Sequence, residues 1–201
     1  MANYAFIDVQ NTDSTTKQIL GFEIDWIKLF IFLKNCKKCD KVFFYTGIAT
    51  NDFDMLNILK QLKDIGCINR EKIVHIYKNL DKNVEIICSK CGNKFIKRID
   101  MGYNHKSNCD VDLTVDAMQF LEKDNVYYLF TGDGDFEYLI NTAVKFNTKV
   151  VIVSNGSKII DGPRHYSSRL SIKLRKLIKD YRGQVDFENI DNYRLRIEKT
   201  I

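Results

Sequence analysis

Apolar runs alternate with segments of helical periodicity along most of this 201-residue chain, whose apolar content of 45% suffices for a sizeable core. The apolar runs predict strands at residues 4–8, 41–46, 73–77, 126–130, 149–153 and 184–187. The spacing of apolar residues between them predicts helices at 23–33, 54–65, 137–146 and 170–181, and another that begins near residue 110. Because repeated strand–helix units wind in one hand, the pattern predicts an α/β fold with a parallel sheet and helices on both faces.

The run TGDGDF at residues 131–136 lies between a predicted strand and a predicted helix. It therefore places Asp133 and Asp135 at the edge of the sheet where open α/β proteins bind their ligands. Carboxylate oxygens at such an edge are typical of a Mg²⁺ or Mn²⁺ site. An Asp-Gly turn that caps the following helix is the structural alternative.

Other acidic residues stand at comparable positions. Asp8 falls just past the first predicted strand, and Asn11 follows with an amide that can donate or accept hydrogen bonds. Asp110 falls at a predicted helix N-terminus, where the helix dipole favours a carboxylate. Asp112 and Asp116 are four residues apart on one helix face, so a cation or a basic partner would relieve their repulsion. N-capping by Asp8 and a solvent-facing acidic helix start are the alternatives.

Three motifs in order, FIDVQN at 6–11, KSNCDVDLTVD at 106–116 and TGDGDF at 131–136, resemble the NYN domain family. The resemblance is closest to the LabA/DUF88-type branch of the PIN-like nucleases, and it covers roughly residues 3–155. It implies a Rossmann-like, PIN-type three-layer sandwich formed by a single domain at 1–201. The expected additions are an insert at 82–108 and a basic C-terminal helix and tail at 164–201. Many members of the family are metal-dependent ribonucleases.

The resemblance assigns the catalytic site to a set of carboxylates and one amide: Asp8, Asn11, Asp110, Asp116, Asp133 and Asp135. We expect Asp8, Asp110 and Asp133 to hold the principal Mg²⁺ or Mn²⁺ ion, with Asp135 and Asp116 completing the set or holding a second ion. Such an ion lowers the pKa of water and neutralises phosphate oxygens. We expect Asn11 to orient the scissile phosphate or the attacking water.

The chain has six cysteines, and we expect them to be reduced in a cytoplasmic protein. Cys88 and Cys91 form a Cys-x-x-Cys-Gly motif within the insert, between predicted strands at 84–87 and 94–99. This spacing predicts a small β-hairpin with a zinc knuckle, in which the Zn²⁺ is structural.

Two further ligands are needed to complete such a zinc site. His105 and Cys109 are nearest in sequence and would give a Cys₃His set that braces the acidic helix. Cys36 and Cys39 would instead give a Cys₄ set. Thiols without a metal are the remaining alternative.

Basic residues gather at 78–106 and along the last predicted helix of this chain, whose net charge is +5. Such clusters are typical of surfaces that contact a phosphate backbone. The expected nucleic-acid contacts are Lys106, Arg164, Arg169, Lys173 and Lys176. Tyr103 and Tyr166 neighbour them and are suited to stack on unpaired bases. A solvated basic helix face is the alternative.

These features predict a metal-dependent nuclease that hydrolyses single-stranded or structured RNA in the cytoplasm, with homodimerisation left open. The most apolar stretch, residues 26–33, is too short to span a bilayer, so no membrane partner is expected. A zinc-containing nucleic-acid-binding module with little or no cleavage is the alternative. A phosphatase with an aspartyl nucleophile is disfavoured, because Gln10 stands where a second Asp is usual two residues after Asp8.

Overall fold

The computed structural model describes residues 1–49, 51–157, 159–160 and 166–200, without the side chains of 104–106, 159–160 and 166–167. The strands are β1 (Asn3–Asp8), β2 (Lys41–Ile48), β3 (Ile68–Ile73), β4 (His75–Lys78), β5 (Lys82–Ile87), β6 (Lys94–Ile99), β7 (Tyr103–Lys106), β8 (Val126–Phe130), β9 (Lys149–Ser154), β10 (Ile159–Ile160), β11 (Tyr166–Ser167) and β12 (Val185–Asn189). The α-helices are α1 (Val9–Thr15), α2 (Trp26–Asn35), α3 (Phe53–Asp64), α4 (Asp110–Met118), α5 (Glu137–Lys145), α6 (Ile172–Asp180) and α7 (Arg194–Ile197). None of the helices in these ranges has the length and apolar character needed to cross a membrane.

Six parallel strands form the central sheet in the order β12-β9-β8-β1-β2-β3. The chain winds outward from β1 through β2 and β3, then crosses to the other side of β1 and continues through β8, β9 and β12. This doubly wound order has its switch point between β1 and β8, where Ile7 lies opposite Phe130. The predicted α/β fold with a parallel sheet is confirmed.

Helices cover both faces of the sheet, which explains why its central strands are apolar at consecutive positions. Ala5 and Ile7 belong to a core with α2 and α3, whereas Phe6 belongs to a second core with α4, α5 and α6. Phe6 is fully buried and stacks on Phe43 with ring centroids 5.1 Å apart. Burial on both sides holds the strands firmly, so the residues that follow them stand at defined positions along the carboxyl edge.

The third strand of the sheet differs from the prediction. The edge strand is β3, whose sequence is mostly polar, and the predicted strand at 73–77 is divided at Val74. His75–Lys78 leaves the sheet and pairs with β7. An edge strand has a neighbour on one side only, and this one is partly exposed, so it lacks the continuous apolar run by which the inner strands are recognised.

Residues 75–106 form a two-stranded antiparallel arm, called the ribbon below. β4 pairs with β7 at its base, and β5 pairs with β6 farther out. The register places His105 opposite Ile76 at the base, whereas Ile87 precedes the outer turn that carries Cys88 and Cys91. The predicted hairpin within the insert is therefore present, at the end of a longer ribbon.

Candidate active site

A cavity of about 330 Å³ opens at the carboxyl edge of the sheet, beside the switch point. Its lining includes Asp8 at the end of β1, Asp110 at the start of α4, and Asp133 after β8. Asn11 and Cys109 also line it, and none of the described side chains in the lining is basic. The winding of the chain thus gathers three carboxylates from distant parts of the sequence around one opening.

Asp8 is the N-cap of α1. Its Oδ1 accepts a hydrogen bond from the Asn11 backbone N–H at 3.1 Å, and its Oδ2 accepts one from Thr131 Oγ1 at 3.3 Å. Burial, assisted by the charges of Asp110 and Asp133, raises the pKa of Asp8 to about 6. The Asp8 carboxylate therefore caps α1, as expected, and also lines the cavity.

Asp110 and Asp133 are held by short local hydrogen bonds. The Asp110 N–H donates to Asn108 Oδ1 at 2.8 Å, and Asp133 Oδ1 accepts from the Asp135 N–H at 3.0 Å. Burial raises the pKa of the Asp110 carboxyl, and the charge of Asp133 adds to the effect. Asp135 is exposed and lies outside the cavity lining, yet its charge also contributes to the raised pKa of Asp110.

Thr131 links two of the three carboxylates and was missed by the sequence analysis. It is 1% exposed; its Oγ1 donates to Asp8 and accepts the backbone N–H of Asp133 at 3.2 Å. Asn11 is fixed in a similar way, because its Oδ1 accepts the Gly132 N–H at 3.0 Å. The NH₂ group of Asn11 is therefore the part of the amide left to donate to a ligand. The only sequence signal for Thr131 is a hydroxyl directly after an apolar strand.

The segment that leads into α6 packs directly against the acidic turn. A Cβ at residue 132 would lie 1.8 Å from the Arg169 carbonyl oxygen, so this close approach requires Gly132. The Ser171 N–H donates to the Gly132 carbonyl at 2.9 Å. Lys173 Nζ lies 3.5 Å from Glu137, at the start of α5. The segment with the predicted basic contacts Arg169 and Lys173 thus packs against the turn that carries Asp133.

The remaining predicted basic contacts are distributed as follows. Arg169 is half-buried, and its guanidinium donates to the carboxamide of Gln18. Lys176 is exposed on α6. The side chain of Lys106 and the whole of Arg164 lie outside the described residues.

Asp112 and Asp116 lie on α4 but outside the cavity lining, and each is paired with a basic residue of β3. Asp116 is 9% exposed; its Oδ2 accepts from Arg70 Nε at 2.8 Å and from the Tyr45 hydroxyl at 3.0 Å. Asp112 Oδ2 lies 2.6 Å from Lys72 Nζ. Basic side chains, and not a cation, therefore relieve the repulsion between Asp112 and Asp116. The structure does not bring Asp116 to the cavity.

The predicted Cys₃His zinc set is divided between the two ends of the ribbon. Cys88 and Cys91 occupy its outer turn, whereas His105 lies on β7 at the base and Cys109 borders the cavity. Ile87 lies eleven residues after Ile76, the partner of His105, a path of roughly 36 Å when extended. The described structure therefore does not bring these four residues together.

Among the described residues, no three His, Cys, Asp or Glu side chains lie close enough to hold one metal ion. The alternative Cys₄ set is therefore not formed either, and Cys39 is buried in the core beside α2. The three cavity carboxylates fit a divalent ion in their chemistry, because they share an opening whose described lining has no basic side chain. Binding would require these three carboxylates to come closer together than they are in the described structure.

Comparisons with known proteins identify the family of this chain. The chain matches the NYN domain model over residues 4–167. The structure of a protein of unknown function from Vibrio parahaemolyticus RIMD 2210633 has a similar fold, with a TM-score of 0.59 and 21% identity over 95% of this chain and 93% of that chain. Phosphofructokinase-2 from Escherichia coli in complex with potassium aligns over 58% of this chain and 38% of its own, with 13% identity and a TM-score of only 0.33. No curated protein matches the chain. Because the family model spans most of the sequence, the chain belongs to the NYN domain family.

Proposed function

We propose that the protein is a metal-dependent nuclease that hydrolyses phosphodiester bonds of RNA. The observation that carries the proposal is the grouping of Asp8, Asp110 and Asp133 around one cavity at the switch point of the sheet. Membership of the NYN domain family, which is generally a family of PIN-like nucleases, supports hydrolysis.

The three cavity carboxylates are the residues that would hold Mg²⁺ or Mn²⁺. When bound, such an ion lowers the pKa of a water molecule and neutralises charge on the phosphate oxygens. Oxygen donors suit these hard cations, whereas a thiolate does not. Burial raises the pKa of the neighbouring Cys109 thiol, which disfavours its thiolate form.

The protein's own contribution is to position these groups. Thr131 holds Asp8 and Asp133 in a fixed relation through two hydrogen bonds. Asn11 is anchored by its Oδ1 on Gly132, so its NH₂ group is available to donate to a phosphate oxygen. These hydrogen bonds restrain the turn at 131–133 relative to Asp8 and Asn11.

An acidic cavity repels a polyanion unless basic groups lie beside it. Arg169 and Lys173 supply such groups, because the close approach at Gly132 holds their segment against the acidic turn. Lys176 continues the basic surface one turn farther along α6. This arrangement favours a backbone-directed approach of RNA with little sequence preference.

The test is cleavage of a labelled single-stranded RNA with Mn²⁺ or Mg²⁺, with and without EDTA. We expect cleavage by the wild-type protein and by Asp64→Asn, an exposed acid at the end of α3. We expect loss of cleavage with EDTA or in Asp133→Asn, with the fold and RNA binding retained. Unfolding of Asp133→Asn, or full activity in that variant, would overturn its catalytic assignment.

A nucleic-acid-binding module without cleavage is the second candidate. The observation that favours it is the lack of three converged metal ligands among the described side chains. A binding module should bind RNA without shortening it in Mg²⁺ and in Mn²⁺. Asp133→Asn should then change neither the binding nor the length of the RNA. The same cleavage assay, run beside a binding assay, separates the two candidates.

A further inference from the structure

The outer turn of the ribbon holds two cysteines in the arrangement of half a zinc site. The Cys88 N–H donates to the Asn93 carbonyl at 2.9 Å, and the Gly92 N–H donates to the Cys88 carbonyl at 2.9 Å, so both cysteines lie in one tight turn. Both thiols are free, and the turn is closed by Gly92 with a φ of 73°. Two sulfurs on one tetrahedral Zn²⁺, with Zn–S bonds of about 2.3 Å, lie about 3.8 Å apart, a spacing within reach of two cysteines three residues apart in one tight turn.

This pair supplies only two of the four ligands that a structural zinc site needs. Cys109 is at the base of the ribbon, and so is the backbone of His105, roughly 36 Å of strand away. Within the described residues, no third His, Cys, Asp or Glu side chain joins the pair. The described side chains of the same chain therefore do not supply the missing ligands.

The hairpin that carries the pair also lacks a packing partner. Within the described ranges, β5 and β6 pack extensively only against each other. The register puts Val84, Ile86 and Phe95 on one face, and Phe95 is 52% exposed. An isolated two-stranded hairpin is marginally stable in water, so this element is expected to gain stability from a metal, a partner or both.

We propose that two copies of this chain share one Zn²⁺, to which each contributes Cys88 and Cys91. A two-fold axis through the ion supplies the same two ligands from each side and completes a four-thiolate site. The thiol protons are released to solvent as the thiolates bind. The site then carries a net charge of −2, which Lys90 of each copy offsets. In such a dimer, the hairpin of the second copy also lies within reach of the exposed apolar face formed by Val84, Ile86 and Phe95.

The first experiment measures bound zinc and molar mass on the full-length protein under reducing conditions. We expect one zinc per two chains, a dimer in the presence of zinc, and a monomer after removal of zinc with a chelator. Substitution by Co²⁺ should give the charge-transfer absorption of four thiolates per ion. One zinc per monomer, no bound zinc, or a dimer indifferent to the chelator would overturn the proposal.

Variants test which residues hold the ion. Cys88→Ser and Cys91→Ser should each abolish both zinc-dependent dimerisation and the cobalt absorption. Cys36→Ser, at an exposed cysteine after α2, and His105→Ala should leave both intact. Loss of zinc in His105→Ala would show an intrachain site and refute sharing. If a Cys88 variant fails to fold, the chelator experiment on the wild-type protein still decides the outcome, and neither readout depends on nuclease activity.

Discussion

Two groups of carboxylates lie close together in this molecule but have different surroundings. Asp110 begins α4 and lines the cavity, whereas Asp116, less than two turns later on the same helix, is buried against Arg70 and Tyr45. Asp112 is paired with Lys72. The comparison teaches that residue type and helix position do not decide the role of an acid. What decides it is whether a basic side chain lies opposite.

The largest expected effect separates the two groups by activity. We expect Asp110→Asn to reduce RNA cleavage by on the order of a hundredfold or more, because it removes a charge from the cavity that the reaction uses. Asp112→Asn, two residues along the helix and paired with Lys72, should retain activity within a factor of a few. Initial rates at saturating Mn²⁺ measure both. Equal losses of activity in Asp110→Asn and Asp112→Asn would mean that the two groups of carboxylates do not differ in function.

The second effect concerns stability. Asp116→Ala should lower the free energy of unfolding by about 2 kcal/mol, because the buried Tyr45 hydroxyl loses its acceptor. The loss of Arg70 pairing adds less, since that side chain is 45% exposed. Urea denaturation measures the change, and Tyr45→Phe/Asp116→Ala should recover part of it. An unchanged urea midpoint in Asp116→Ala would mean that the contacts of Asp116 with Tyr45 and Arg70 do not contribute to stability.

The third effect has the opposite sign. In the metal-free protein, Asp8→Asn should raise the free energy of unfolding by about 1 kcal/mol at pH 8, because a carboxylate with a raised pKa is destabilising when ionised. Asn remains a good N-cap, so the start of α1 is retained. Since the folded-state pKa of Asp8 is about 6, its contribution to stability is complete below about pH 4 and is lost as the pH rises through 6. Thermal melts from pH 4 to pH 8 test the sign.

Addition of a divalent ion sharpens the same comparison. Mn²⁺ should raise the melting temperature of the wild-type protein, because a ligand that binds only the folded state stabilises it. The rise should vanish in Asp8→Asn and persist in Asp112→Asn. A rise of equal size in all three proteins would place the bound ion away from the cavity.

The smallest effect is expected at the exposed pair. Lys72→Met should change the free energy of unfolding by less than about 1 kcal/mol, because the side chains of Lys72 and Asp112 are 41% and 38% exposed. The change should shrink further in high salt. A loss of stability as large as that in Asp116→Ala would mean that solvent exposure does not explain the relative strengths of the Lys72–Asp112 and Arg70–Asp116 pairs.

The inner strands were predictable from the sequence because strands buried on both faces must be apolar at consecutive positions. The same argument located Asp8 and Asp133, since polar residues directly after such runs stand out. The edge strand β3 was not predictable in this way, because it is partly exposed and its sequence is polar. The strand expected at 73–77 therefore merged the end of one element with the start of another.

The ribbon shows where local patterns stop being informative. The Cys-x-x-Cys-Gly spacing correctly indicated a hairpin turn, because turn geometry depends on neighbouring residues. Sequence proximity favoured His105 and Cys109 as the remaining zinc ligands, but the fold places these two residues at the base of the ribbon, away from the outer turn. In an antiparallel ribbon, residues that follow the turn move away from it along the strand, so the separation grows with every residue.

The sequence by itself determined which carboxylates stand at the ends of strands and helices, because those positions follow from local periodicity and capping. Only the tertiary structure decided which acids meet a basic side chain. Asp116 and Arg70 are 46 residues apart in sequence and meet because α4 packs beside β3, whereas the described lining around Asp8, Asp110 and Asp133 contains no such side chain. Electrostatic interactions depend on distance and burial, and neither can be read from sequence separation.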